Sequence, residues 1–468
     1  MTNRFLAAAL ALALPFPALA QRAEPPLPAK VDPAVAALRD AALKDDIAYD
    51  IVESLTTEVG QRLAGTAAEA RARAWAVAKL KALGFSNVRI ETYRMPVWVR
   101  GEERAEITAP FPQKLVLTAL GNSGATPAEG LTAEVAVFRT FADFMNAPDS
   151  AIRGRIVYVG NAMARTQDGS SYGQSGIARF AGPGIAAKRG ALAMVIRSIG
   201  TDTHRTPHTG VTNFPEGVKP IPAAALAVPD AKLIEAMAAR GKPLTMKLVL
   251  TPRQTGEQES GNVIAEVPGS DPDAGIVLVG GHLDSWDLAT GAIDDASGVA
   301  ITAAAAKRVM DSGNRPRRTI RVVWFGSEEV GGFGARDYAR RHGGDHHVLA
   351  AESDLGADRI WRFQMKLPDA AKDVGERIAS AVAPLGIVHG AGAGGDGADV
   401  GPIVEKGAVG LDFNQSALHY FDTHHTADDT LDRVDPEMLR QNVAAWTAML
   451  AIVANAPEEI GPAAPKMR

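Results

Sequence analysis

Gly280-Gly-His-Leu-Asp-Ser-Trp-Asp-Leu-Ala-Thr-Gly-Ala-Ile-Asp-Asp-Ala-Ser-Gly298 is the stretch that decides the fold. The apolar run before it, Ile276-Val-Leu-Val279, reads as a short buried strand that delivers His282 and Asp284 to the loop at its end. Two residues apart in extended chain, they face the same side. A neutral imidazole suits zinc, and a carboxylate two positions on can hydrogen-bond its other ring nitrogen and fix its orientation. Asp294 and Asp295 precede an expected helix from Ala296 to Met310, whose N-terminus favours negative charge. Taken alone, the stretch also reads as a solvated acidic loop behind a core strand.

Repetition favours the metal. Three more strand-like runs end in metal-competent residues: Glu328-Glu329 after Ile320–Phe325, Asp354 after Val348–Ala351, and His424-His425 beyond Val409–Phe413. From about Gly261 to Asn455 strands alternate with helices, which implies an α/β domain with a mostly parallel central sheet covered on both faces. In such sheets ligands gather beyond the carboxyl ends of the strands, where these acids and histidines fall.

The chemistry that fits them is amide hydrolysis by two zinc ions per chain, which together activate water and stabilise an oxyanion. One carboxylate must bridge the pair. Asp294 is the candidate, with His282 and Asp354 on one ion and Glu329 and a histidine of the 424–425 pair on the other. Spacing leaves His424 and His425 both open for that place, the other imidazole packing or touching substrate. Neighbouring residues at a strand end point in different directions, so Glu329 can ligate while Glu328 moves protons. Gly331, Gly332 and Gly334 follow and permit close backbone approach.

The chain has 468 residues, enough for two domains with real cores. A net charge of −5 and no long basic run give no reason to expect nucleic acid. No cysteine is present, so any zinc must sit on His, Asp and Glu. Arg4, the apolar run Phe5–Phe16 and Ala18-Leu-Ala-Gln21 read as a signal peptide over residues 1–20, which implies export to the periplasm or the medium. That segment is too short for a membrane span. Without cysteine, a lipid anchor of the bacterial lipoprotein type is excluded.

Val31 to Leu83 reads as helical, interrupted by a turn at Arg62-Leu-Ala-Gly65. Val88–Tyr93 and Val97–Arg100 read as strands, with Ala105–Thr108 pairing to them. From Gly121 to Thr251 the texture changes to short strands and Gly/Pro-rich loops, a β-rich module whose strand ends carry no converging acids. His204 and His208 are four apart, but Pro207 and the surrounding turn formers predict a surface loop instead of a helical metal pair. The loop His389–Val400 lacks the Lys-Ser/Thr of a phosphate cradle. It reads as a wall of the substrate pocket, with Asp396 or Asp399 receiving a substrate amine.

Several motifs resemble those of the co-catalytic zinc exopeptidases, the leucyl aminopeptidase and glutamate carboxypeptidase family, and most of all its plasma glutamate carboxypeptidase branch. They are His282-Leu-Asp284, Ile293-Asp-Asp-Ala-Ser-Gly298, Ser327-Glu-Glu329, Glu352-Ser-Asp354 and His424-His-Thr-Ala-Asp-Asp-Thr430, in the family's order. The resemblance covers nearly the whole mature chain. It implies a phosphorylase/hydrolase-like α/β zinc peptidase sandwich with an inserted β-rich protease-associated domain. The implied division is residues 21–120 and 252–460 for the peptidase and 121–251 for the insertion. It also implies metal ligation by His282, Asp294, Glu329, Asp354 and His425, catalysis by Glu328 with support from Asp284, two zinc ions, a short peptide substrate and a homodimer. His425 is chosen over His424 because the family's ligand directly precedes Ser or Thr; His424 is left for substrate. Other functions on this scaffold are a broader aminopeptidase, a single-zinc glutaminyl cyclase and a receptor without catalysis.

Overall fold

Ile276–His282 lies near the middle of an eight-stranded sheet. The computed structural model describes residues 31–395 and 397–462, so the expected signal peptide and Asp396 lie outside the described residues. The strands run in the order Ser86–Val99, Arg253–Val267, Thr319–Phe325, Ile276–His282, His347–Glu352, Val409–Gln415, Ile360–Met365 and Val388–His389. The run from Thr319–Phe325 to Val409–Gln415 is parallel, and antiparallel strands join it on both sides.

Side-chain alternation divides the core into two layers. Val277, Val279, Ile320, Val322 and Trp324 enter one, while Leu278, Val323 and Phe325 enter the other. Helices Pro33–Ala42, Ile47–Ser54, Ser297–Met310 and Pro436–Val453 cover the first face. Phe333–His342 and Gly401–Val404 cover the second, as parallel strands require. Ala303 to Ala306 are all buried, and their small side chains let Ser297–Met310 pack closely against Pro436–Val453. Asp435 Oδ1 accepts the N–H groups of Glu437 (2.8 Å) and Met438 (3.0 Å), capping a helix that begins with Pro436.

The order of crossovers makes the site. After Ile276–His282 the chain forms Thr319–Phe325 on one side of it, then His347–Glu352 on the other. This reversal opens a crevice at the carboxyl end of Ile276–His282. No helix among the described residues is long and apolar enough to cross a membrane.

A second eight-stranded sheet has the order Gln113–Leu115, Glu103–Ala109, Thr245–Leu250, Leu131–Phe138, Ile156–Val159, Ala193–Arg197, Ala223–Leu226 and Leu117–Ala119. It corrects one expected pairing. Ala105–Thr108 leaves Ser86–Val99 and pairs with Thr245–Leu250 and Gln113–Leu115, because Ala105 and Ile107 point into the second core beside Leu115, Met246 and Leu248. Arg253–Val267 takes the vacated place beside Ser86–Val99. The second sheet therefore already includes strands upstream of Gly121. Helices Phe141–Asn146 and Ser171–Phe180 were not evident in the sequence; the first is short, and Gly173 and Gly176 obscure the periodicity of the second.

Candidate metal centre

Asp294 sits at the centre of the crevice, in an irregular turn leading into Ser297–Met310. Its two carboxylate oxygens face different partners. Oδ1 is 3.1 Å from His282 Nε2, and the same nitrogen is 3.4 Å from Asp354 Oδ1. Oδ2 is 3.3 Å from His425 Nε2, which is itself 2.9 Å from Glu329 Oε2. All five residues predicted as ligands thus meet, brought from three neighbouring strand ends, the 292–296 turn and the loop after Tyr420–Thr423.

The support of His282 differs from expectation. Its Nδ1 bonds the backbone carbonyl of Asp284 at 2.9 Å, whereas the Asp284 carboxylate stays 3.8 Å away. Asp284 Oδ1 instead accepts the Glu328 N–H at 3.1 Å. The chain bends after His282, so the nearer acceptor is a main-chain one. Asp284 therefore ties the His282 strand end to the Glu328 turn.

That turn is tightly built. Ser327 has φ +65°, and Gly331 (+128°) and Gly332 (+66°) close the loop, with Gly332 N–H donating 2.8 Å to Ser327 O. Asn262 accepts from Gly326 N (3.0 Å) and donates to Gly334 O (3.0 Å), while Tyr93 OH donates to Gly326 O (2.7 Å). Glu329 is buried and Glu328 half-buried, so the adjacent acids do occupy different environments.

His424 stacks on His425 with ring centroids 3.5 Å apart and is walled by Tyr420, Phe421 and Tyr172. Its Nε2 lies 3.7 Å from Asp294 Oδ2, farther than that of His425. Asp399 is buried, and its N–H donates 2.8 Å to Glu352 Oε2. His208 departs from the surface loop expected for it: the residue is 1% exposed and its ring is bonded to Asp202 and to the His424 carbonyl.

Sequence reasoning gave no role to Arg62 or Asp429, and to Asp295 only that of a negative charge at a helix N-terminus. Arg62 is fully buried; Nε donates 2.6 Å to Leu283 O, Nη2 donates 3.0 Å to Gly291 O, and Nη1 reaches the Thr290 carbonyl. One guanidinium thus clamps the two loops that carry His282 and Asp294. Asp429 accepts the N–H groups of Ile293 (2.6 Å) and Asp294 (3.2 Å). Asp295 accepts those of His282 (3.0 Å) and Gly298 (2.9 Å). Only the acidic pattern hinted at the two aspartates, and nothing marked Arg62 beyond a charge in a turn.

Burial pushes the carboxyls of Glu328 and Asp295 well above the usual range, and nearby Asp354 adds to both. Burial also raises Glu329 to about 7. Asp294 goes the other way: burial opposes ionisation, but the His282 hydrogen bond and the nearby His425 imidazole hold it well below. Its Oδ2 and Glu329 Oε1 are buried with no hydrogen-bond partner among the described residues. So many buried carboxylates, some with orphan oxygens, call for cations between them. His282, Asp294 and Glu329 place one donor atom each within 4.8 Å of one another, as do Asp294, His424 and His425, and His282, Asp295 and Asp354. An imidazole and carboxylate donor set without thiolate fits zinc.

The sheet and this cluster place the protein among metal-dependent hydrolases. The model of Peptidase family M28 matches residues 262–450. Carboxypeptidase Q of Bos taurus is 35% identical over 88% of this chain and 86% of its own length. Aminopeptidase YwaD of Bacillus subtilis is 24% identical over 86% and 83%. The crystal structure of a peptidase M28 precursor from Shewanella amazonensis superposes with a TM-score of 0.89 at 44% identity, covering 92% of this chain and 98% of that one. A zinc aminopeptidase from Bacillus subtilis shares the fold, with a TM-score of 0.61 at 18% identity over 90% and 98%. The chain belongs to peptidase family M28 and is a metallo-exopeptidase.

Proposed function

We propose that the protein is an exported dinuclear zinc exopeptidase acting on unblocked dipeptides or short peptides. The observation that carries this reading is the two-sided contact of Asp294: one oxygen faces His282, whose Nε2 also faces Asp354, and the other faces His425, whose Nε2 also faces Glu329. His282, Asp354 and Asp294 would hold one zinc, and Glu329, His425 and Asp294 the second. Bound zinc supplies Lewis acidity, lowering the pKa of water it coordinates to about 7 and polarising the scissile carbonyl.

Glu328 takes a proton from the attacking water and returns it to the leaving amine. Burial raises its carboxyl, which favours taking up the proton from water. Asp284 orients Glu328 through its backbone N–H. Asp399, buried beside Glu352, and Asp396 are assigned to the substrate's free amine, and His424 to the wall of the substrate site. Carboxypeptidase and dipeptidase action is favoured over broader aminopeptidase action by the higher identity to carboxypeptidase Q. The residues for both ions speak against a single-zinc cyclase and against a receptor without catalysis.

The test is a panel of dipeptides, N-blocked peptides and aminoacyl amides, with and without chelator, alongside a metal count. Cleavage confined to unblocked dipeptides, lost on chelation, with two zinc ions per chain is the expected result. Fast release from aminoacyl amides would replace it with aminopeptidase action. A protein isolated with a single tight zinc that cyclises Gln-starting peptides would overturn the proposal.

A further inference from the structure

The second sheet reaches the metal centre through the loop that follows Ala193–Arg197. In that loop Thr209 N–H donates 2.9 Å to the His425 carbonyl, and His425 Nδ1 lies 3.3 Å from the Thr209 carbonyl. A carbonyl can only accept, so the proton of a neutral His425 ring belongs on Nδ1. Nε2, which faces Glu329 and Asp294, is left free to ligate.

One residue earlier, His208 Nδ1 donates 2.7 Å to the His424 carbonyl, and its Nε2 is 2.9 Å from Asp202 Oδ1. Both side chains are buried. The His208 main chain is held as well, its N–H donating 2.9 Å to Ser198 Oγ. A Cβ at Gly200 would lie 2.2 Å from His208 Nε2, so glycine there makes room for the ring. On the receiving side, His425 has φ +60°, a conformation that a non-glycine residue keeps only when its surroundings hold it.

We propose that Asp202 and His208 are positioning residues for the metal centre. They fix the His424 carbonyl and, with Thr209, hold the His425 ring with Nε2 toward Glu329 and Asp294. The second sheet is thereby a working part of the Glu329–His425 half of the site. This rests on the dinuclear reading given above.

The test uses the full mature chain with His208→Ala, His208→Gln and Asp202→Asn. In metal-free protein, hydrogen exchange of the His424 and Thr426 amides is expected to rise at least about tenfold in His208→Ala. On reloading with cobalt(II), one ion is expected to bind as in the wild type. The second is expected to be weakened about 10- to 100-fold, the scale for loss of a residue that orients a ligand. The visible spectrum should change with it. His208→Gln keeps a donor for the His424 carbonyl and should recover part of the loss.

Two ions bound with wild-type affinity and unchanged exchange in His208→Ala would overturn the proposal. Should that variant not fold, Asp202→Asn, of nearly equal volume, decides by the same measurements. Failure of both to fold would overturn it too, since the pair would then serve the fold as a whole. If the wild type itself takes up fewer than two ions, the dinuclear reading fails, and exchange in the metal-free protein still decides the positioning role.

Discussion

The two sheets have the same number of strands and a similar plan, four parallel strands flanked by antiparallel ones, with apolar cores on both faces. Their carboxyl edges differ. In the first sheet the parallel strands run out into His282, Glu328-Glu329 and Asp354. In the second they run out into Arg139, Gly160, Ser198 and Ala227. A parallel sheet provides a rim where loops can converge, and only the side chains placed there decide whether the rim does chemistry. Among the described residues the second rim carries no such cluster of acids, yet one of its loops grips the histidine pair of the first. The site is therefore held from both sides, by Arg62, Asp429 and Asp295 beside the first sheet and by Thr209 and His208 from a loop of the second.

The sharpest way to break this contrast is Glu328→Gln. The amide keeps the shape and the N–H bond to Asp284 but cannot take up a proton. A fall in kcat of about 10²- to 10⁴-fold is expected, with metal content and thermal stability unchanged. Steady-state kinetics together with a metal assay on the same preparation provide the check. Wild-type turnover would mean that the rim of the first sheet is not where protons move.

The first rim was legible because its residues are few in type and repeat a pattern. An apolar run followed by His, Asp or Glu is a local signal, and it recurred at Ile276, Ile320, Val348 and Val409. Asp284 was assigned to the right neighbourhood with the wrong atom, since sequence spacing cannot tell a carboxylate from the backbone carbonyl of the same residue. Ala105–Thr108 was mispaired because its partner, Thr245–Leu250, lies more than 130 positions along the chain. His208 was read as exposed because turn formers report local backbone shape. Its burial comes from the loop of the other sheet that packs over it, which no local pattern encodes. Arg62 was hidden for the same reason: all of its acceptors near the metal centre are carbonyls, and carbonyls have no letter of their own.

Arg62→Lys sharpens the question of what holds the first rim. Lysine keeps the charge, but a single ammonium cannot span Leu283, Thr290 and Gly291 as the guanidinium fork does. The two loops should then lose register while the sheet stays intact. Zinc affinity is expected to fall about 10- to 100-fold, measured by competition with a chelator, with kcat recovering at saturating metal. Affinity equal to the wild type would assign loop position to Asp429 and Asp295 alone.

The smallest effect belongs to the second sheet itself. Tyr158 is buried on Ile156–Val159, and its hydroxyl donates 2.8 Å to Glu235 Oε1 on the helix Val228–Ala238. Tyr158→Phe removes that bond, and Glu235, which is only partly buried, can turn to water. The loss should be about 0.5–1.5 kcal/mol, seen as a fall in melting temperature of a few degrees. Zinc content, kcat and KM should not move, because Tyr158 lies in the core of the second sheet and its hydroxyl bonds Glu235 and the Ala231 carbonyl, both on the helix Val228–Ala238. A tenfold change in kcat from this one hydroxyl would show that the whole second sheet, and not one loop of it, is coupled to the metal centre.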